Sequence, residues 1–385
     1  MPDWNRIRRD FPVTERCAYF LSAAMSPLPT SVFEAIIGEY RMLLLDGDIH
    51  FDDDLKRCGA LYTGLADHLN SKAENIVFVA NTSTAMSLVA LSFGDRAPRP
   101  FNVVSLEDEF PSSTIGFEHR GIEMRYARPI KGRYTIDSIL DMTDRRTLAV
   151  VASYVQYATG FRLDIESLGR VLKEREIVFV VNATQGFPFY PIDVEAMHID
   201  VLSASLHKWG MTGHIGAIFY TSAAFREKYP SPLAGWLSVV GEEGEHIHIA
   251  KNAPFRLRTS ARQYNQGTSN LQAILAFQAA FNYMKKIGFE NIRLRIAELT
   301  DYLMAALKRL GIRIMSPAAR PEERSAIVAF TLGEGNSRYV DALAAKDIHV
   351  SLRNGLIRVS LNIFNDFSDI DRLRDALMEI AGNIS

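Results

Sequence analysis

A lysine acts as a nucleophile only when its amine has lost its proton, and apolar surroundings push it toward that state. Lys208 has such surroundings: it ends the run Ser205-Leu206-His207-Lys208, precedes Trp209, and follows a stretch that reads as a buried strand. A lone lysine is more commonly a surface charge, so Lys208 gains meaning from what else reaches the same place. A second apolar run, residues 177–181 (IVFVV), ends in Asn182-Ala183-Thr184-Gln185. Ligands of open α/β sheets sit at the carboxyl ends of the strands, so one ligand can meet both Asn182 and Lys208. A third segment, Asn81-Thr82-Ser83-Thr84, follows the run 75–80 (NIVFVA) and opens a helical pattern. Hydroxyls and free backbone N–H groups at a helix start form an anion site, above all for phosphate. The alternative there is plain N-capping by Thr82 or Ser83. The glycine patterns of dinucleotide-binding turns and P-loops are missing, which counts against both readings.

Positioning these residues requires a sheet. Further short runs at 101–106, 148–153, 200–203 and 215–220 alternate with helix-like segments such as 84–93 and 165–174. Several runs are apolar nearly throughout, as strands buried on both faces of a mostly parallel sheet are. The expected fold class is therefore α/β, a mostly parallel sheet flanked by helices. After Gly267 the pattern changes to helices at 271–287 and 291–310, a strand at 325–332 and a helix at 337–346. A strand pair at 349–353 and 356–361 and a helix at 370–380 follow, a smaller α+β arrangement. The expected division is a large domain over 18–268 and a small C-terminal domain over 269–385, with residues 1–17 packing against the latter. Residues 231–266 are loop-rich and hold the run GEEGEHIHIA, read as a functional or interfacial excursion. His246 and His248 alternate there as on a strand; with no third ligand to name, they read as solvent-facing histidines rather than a metal pair. Asp52-Asp53-Asp54 reads as a solvated turn.

The chain has 385 residues, which at about 150 per domain suggests roughly two to three domains. Its 43 Lys+Arg against 45 Asp+Glu leave a formal charge of −2, which argues against nucleic-acid or anionic-membrane partners. No apolar run approaches the roughly 20 residues of a membrane helix. The opening MPDWNRIRRDF carries no apolar signal core. Two cysteines, Cys17 and Cys58, make neither a disulfide framework nor a metal pair, and a reducing cytoplasm is the expected compartment.

Taken together the motifs resemble the fold type I pyridoxal-phosphate enzymes, in the class V aminotransferase and cysteine desulfurase group. The resemblance runs through Tyr19-Phe20-Leu21-Ser22-Ala23-Ala24, Thr82-Ser83, Glu109-Phe110-Pro111-Ser112 and residues 153–160 (SYVQYATG). It continues through Asn182-Ala183-Thr184-Gln185, the Ser-x-His-Lys element ending at Lys208, Gly267-Thr268-Ser269-Asn270 and Arg358-Val359-Ser360. It implies pyridoxal 5'-phosphate as cofactor, with Lys208 as the Schiff-base lysine that later moves the α-proton. Thr82, Ser83, Ser205 and His207 would hold the phosphate. Phe110 would stack on the pyridine ring, and Gln185, with Gln156 or Tyr157, would meet the phenolic oxygen. Gly267 and Thr268 would reach the neighbouring subunit's phosphate, implying a homodimer with shared sites. Arg358 would pair with a substrate carboxylate, a task its planar fork suits.

Two departures from the family pattern bear on the reaction. Desulfurases carry a nucleophilic cysteine shortly before the motif that holds Arg358; residues 350–357 (VSLRNGLI) have none, which argues against desulfurase activity. The family's aspartate opposite the pyridine nitrogen is Asn182 here, isosteric but neutral, so the ring is a weaker electron sink. A reaction that needs less of a sink, a protein that mainly binds the cofactor, or an engineered substitution would each account for Asn182. The resulting expectation is an enzyme acting on a small amino acid or amine, an aminotransferase of the class V type. An epimerase or carbon–heteroatom lyase is the alternative, and a catalytically weak cofactor binder the rival of another class.

Overall fold

The apolar runs pair side by side in the computed structural model, which describes residues 2–97, 100–241 and 254–382. Seven strands form one sheet: β1 (Ile76–Val79), β2 (Asn102–Leu106), β3 (Glu123–Ala127), β4 (Thr147–Ser153), β5 (Val178–Asn182), β6 (Val201–Ser205) and β7 (Ala217–Thr221). Their order is β1-β7-β6-β5-β4-β2-β3. Only β7 runs against the others, antiparallel to both β1 and β6. Strands β2, β6 and β7 are buried at every residue, the reason their sequences lack alternation. Edge strand β3 (EMRYA) was not anticipated, because its charged, partly exposed residues break the apolar signal. Asn182, the last residue of β5, pairs with Ser203 of β6, so the carboxyl ends of the two strands lie together.

Helices α1 (Thr30–Asp46), α2 (Phe51–Leu69), α3 (Thr82–Arg96) and α4 (Ile165–Glu174) belong to the first part of the chain. Asp52, Asp53 and Asp54 do not form a turn; they occupy the first turn of α2. Carboxylates there meet the positive end of the helix dipole, so the acidic run starts a helix. Buried Cys58, Leu61, Leu65 and Leu69 follow at helical spacing and supply the apolar face.

Helices α5 (Leu271–Ile287), α6 (Phe289–Arg309), α7 (Asn336–Ala344) and α8 (Phe367–Gly382) accompany a second, antiparallel sheet. Its strands are β8 (Arg313–Ile314), β9 (Ile327–Thr331), β10 (Ser351–Arg353) and β11 (Leu356–Ser360), in the order β8-β9-β11-β10. Val328, Phe330, Ile357 and Val359 pack with Leu299, Leu303, Leu373 and Leu377 in one buried cluster. The strand expected at 349–353 is split. Ile348–His349 pairs in parallel with Ala18–Tyr19, and β10 begins at Ser351. Near the N-terminus, Arg8 donates to both carboxylate oxygens of Asp369, at 2.7 and 2.9 Å.

Gly160 joins the two sheets. Its φ of +73° suits glycine, and a Cβ there would lie 2.4 Å from the carbonyl oxygen of Ile327. Within the excursion at 231–266, Val239–Gly241 pairs antiparallel with Phe255–Leu257. The run GEEGEHIHIA, with His246 and His248, lies outside the described residues. Among the described residues, no helix is long and apolar enough to cross a membrane.

Candidate active site

A cavity of about 300 Å³ opens at the carboxyl ends of β5 and β6. Of the residues that the sequence places in the site, all line this cavity except Gln156, Gly267 and Thr268. Lys208 follows β6 and is only 9% exposed. Burial, together with the Arg358 and Arg353 charges, holds its amine down to about 7. Its Nζ lies 5.1 Å from the centroid of the Phe110 ring. Burial, with Lys208 and His214 nearby, holds His207 down to about 4, and its ring lies 4.6 Å from that of His214.

Thr82 and Ser83 open α3, but neither caps it. Asn81 does, its Oδ1 accepting from the Thr84 backbone N–H at 2.8 Å. The hydroxyls of Thr82 and Ser83 are thereby released from capping. Thr82 Oγ1 lies 2.8 Å from Ser205 Oγ and 3.3 Å from Thr184 Oγ1. A hydroxyl cluster at the start of a 15-residue helix suits a phosphate. Thr184 was missed as a member; its place between Asn182 and Gln185 on one strand end was the available signal.

Asn182 is held at both ends of its amide. Oδ1 accepts from the Thr184 backbone N–H at 3.1 Å, and Nδ2 donates to Ser113 Oγ at 2.9 Å. The backbone donor fixes which end is oxygen. Ser113 in turn hydrogen-bonds Glu109, which also accepts from the Phe110 N–H at 2.8 Å, the Ser153 N–H at 2.6 Å and the Ser153 hydroxyl. Burial raises Glu109, and these four donors oppose that rise. Glu109 belongs to the motif Glu109-Phe110-Pro111-Ser112, but its link to Asn182 crosses 73 positions and has no sequence signature.

Gln185 donates from Nε2 to the Ala23 carbonyl at 3.0 Å and accepts from Trp209 Nε1 at 2.8 Å. Gln156 does not line the cavity. Its Oε1 accepts from the backbone N–H groups of Ala158 and Thr159, so it shapes the turn after β4, and Tyr157 is the one that lines the cavity.

Arg358, on β11, is 1% exposed. Its Nε donates to Ser351 Oγ at 2.9 Å and its Nη1 to the Tyr157 carbonyl at 2.7 Å, while Nη2 is buried with no partner among the described residues. A buried guanidinium nitrogen without an acceptor is costly, and a carboxylate supplied by a ligand would satisfy it. Arg353 also lines the cavity and was given no role by the sequence, although it stands two residues from Ser351 on the same strand.

Among the described residues no Asp or Glu lines the cavity, and neither cysteine does. Cys17 and Cys58 are buried, and burial pushes the Cys58 thiol up to about 11. Among the described residues, no group of three or more His, Cys, Asp or Glu side chains is placed to hold a metal ion. The site offers a buried amine of low basicity, a phosphate-type cradle, a neutral amide and an unsatisfied guanidinium. That set suits a phosphate-bearing carbonyl compound beside a carboxylate.

A family profile described as aminotransferase class-V matches residues 18–373. A cysteine desulfurase of Cronobacter sakazakii is 27% identical over 98% of this chain and 98% of its own length. A probable cysteine desulfurase of Pyrococcus abyssi is 24% identical over the same shares. Among solved structures, apo cysteine desulfurase from Thermococcus onnurineus superposes with a TM-score of 0.89 at 21% identity, covering 100% of this chain and 99% of the other. A cystine C–S lyase in complex with cysteine persulfide gives 0.84 at 18% identity, covering 95% and 98%.

Proposed function

The chain belongs to the class V aminotransferase family, has the type I fold of pyridoxal 5'-phosphate enzymes and uses that cofactor; on that premise we propose that it is a carbon–heteroatom lyase acting on a small α-amino acid. One observation carries the choice: among the described residues the cavity holds one low-pKa amine, and neither cysteine lines it. A desulfurase needs a thiolate to accept sulfur from its substrate. The lyase reading needs only a base, a carboxylate anchor and a departing group.

The residues present fit the cofactor. The Thr82, Thr184 and Ser205 hydroxyls with the α3 N-terminus suit its phosphate, and Lys208 suits its carbonyl carbon. Phe110 would cover the ring, Gln185 would meet the phenolic oxygen, and Asn182 would face the ring nitrogen. Once bound, pyridoxal 5'-phosphate withdraws electrons from the substrate's α-carbon. Arg358 binds the α-carboxylate through Nη2. Lys208 would take the α-proton, and in an elimination the C–H electron pair would become the Cα–Cβ double bond as the β-substituent leaves with the pair of its own bond. The enamine, once released, would tautomerise and be hydrolysed by water to a 2-oxo acid and ammonium.

Asn182 supports elimination over amino-group transfer. Transfer would need the ring to take up electron density and Lys208 to deliver a proton to the cofactor's carbonyl carbon. The neutral Asn182 amide would supply no charge to hold a proton on the ring nitrogen, which would weaken the ring as a sink and favour a substrate whose β-leaving group takes the electron pair. Transamination, the expectation from the sequence, remains the second reading, since Lys208 can donate as well as accept a proton. We also propose a homodimer. Gly267 and Thr268 lie outside their own cavity, and α1 exposes Phe33, Tyr40, Leu44 and Leu45 at 49%, 55%, 82% and 72%, a face that a second copy would bury.

Incubating the holoprotein with β-chloroalanine tests the reaction. Pyruvate and ammonium formed without an added 2-oxo acid would support the lyase. Product formed only with a 2-oxo acid acceptor, amino group for amino group, would establish transamination instead.

A further inference from the structure

Ser351 and Arg353 stand two residues apart on β10, so their side chains share a face. Ser351 opposes Arg358 across the β10–β11 pair and receives its Nε hydrogen at 2.9 Å. Arg353 is therefore the next side chain along the face that holds the Arg358 head, and it lines the same cavity. Its charge reaches both functional cations, helping to hold Lys208 and Arg358 below their ordinary values. The neighbouring turn is tied down: Tyr157 donates its hydroxyl proton to Asn354 Oδ1 at 2.8 Å, and the Tyr157 carbonyl accepts from Arg358 Nη1. Arg353 and Arg358 are thus held by one connected piece of structure.

Arg353 has little to do for the fold. Among the described residues its hydrogen bond runs from Nη1 to the adjacent Leu352 carbonyl at 2.7 Å, and no carboxylate lines the cavity to pair with it. An α-carboxylate satisfies one guanidinium, and the orphaned Nη2 of Arg358 is the one that needs it. A second guanidinium beside it, in a cavity lined by no acid among the described residues, favours a second anion and penalises a side chain that leaves it unpaired.

We infer that the site takes α-amino acids whose side chain carries an anionic group, a carboxylate, sulfonate or phosphate, bound by Arg353 while Arg358 holds the α-carboxylate. The inference rests on the α-amino-acid reading above and narrows its substrate class.

Two amino acids without an α-proton separate binding from turnover: α-methylaspartate, with an acidic side chain, and α-aminoisobutyrate, with a neutral one. Each is titrated into the holoprotein, and its affinity is read from the change in cofactor absorbance. The acidic compound is expected to bind at least about tenfold more tightly. Arg353→Met is expected to bring that ratio below about twofold, and Arg353→Lys to restore part of it. A wild-type ratio near one, or a ratio unchanged in Arg353→Met, overturns the inference; the wild-type ratio alone decides if the Met variant does not fold. Should α-aminoisobutyrate perturb the spectrum as strongly as the acid, the α-amino-acid reading stands and only the role of Arg353 falls. Should neither compound perturb it, both fall.

Discussion

Asn182→Asp puts back the carboxylate that the family pattern has at this position, into a site whose hydrogen bonds are arranged for an amide. Oδ1 would keep the Thr184 N–H, but the other oxygen would replace Nδ2 beside Ser113 Oγ, 2.9 Å away. Ser113 has one hydroxyl proton, and Glu109 already uses it. One of the two carboxylates must lose that donor. A hydroxyl-to-carboxylate bond spans about 2.7 Å, so the two carboxylates would approach to about 5 Å through Ser113. At an effective dielectric constant of about 20, their repulsion is about 3 kcal/mol. The pair's folded pKa then rises above its unfolded value, which costs stability at pH values above the folded pKa and returns it as pH falls through that value. Cofactor-free Asn182→Asp should therefore unfold at lower urea than the wild type at pH 8, by about 3 kcal/mol, with the gap narrowing at pH 5. Pyridoxal phosphate should also narrow it at pH 8, because a protonated ring nitrogen supplies the opposite charge. In the wild type, nitrogen-15 NMR of labelled cofactor should show an unprotonated ring nitrogen. Equal stability of the two apo-proteins at pH 8, or a gap that widens on acidification, would refute the Glu109–Ser113–Asn182 relay; a pyridinium-like shift in the wild type would refute the reading of Asn182.

Borohydride trapping of the cofactor should label Lys208, with a half-rise near pH 7, because burial and the two arginines hold the amine down to about 7 and only the unprotonated form attacks. Arg358→Met should move that half-rise to higher pH; a half-rise near 10 in the wild type would contradict the geometry. Mixing Lys208→Ala subunits with Thr268→Trp subunits should restore activity from two inactive parents, and a protein active as a monomer at assay concentration would exclude shared sites. Gly160→Ala should destabilise by at least about 1–2 kcal/mol, since alanine disfavours a positive φ and its Cβ would lie 2.4 Å from the Ile327 carbonyl. An unchanged unfolding midpoint would show that the contact between the sheets yields without cost.

The sequence by itself determined the parallel sheet and the carboxyl-end location of the site. Buried parallel strands are nearly all apolar, and the strand-end motifs at Asn182 and Lys208 stand directly beside them in the chain. The family resemblance pointed to Thr82, Ser205 and Arg358, and all three line the cavity, because short motifs at strand and helix ends keep their local form. Charged β3 escaped notice for the converse reason: an edge strand has no apolar run to read. The acidic run at Asp52 was misread because a helix start and a solvated turn share the same residues, and only the buried face of α2 separates them. Tertiary structure alone decided that Asn81 rather than Thr82 caps α3, which left the hydroxyls free for the site. It alone brought Glu109 behind Asn182 and Arg353 beside Arg358, since hydrogen bonding and charge act over a few ångströms of space and not along the chain.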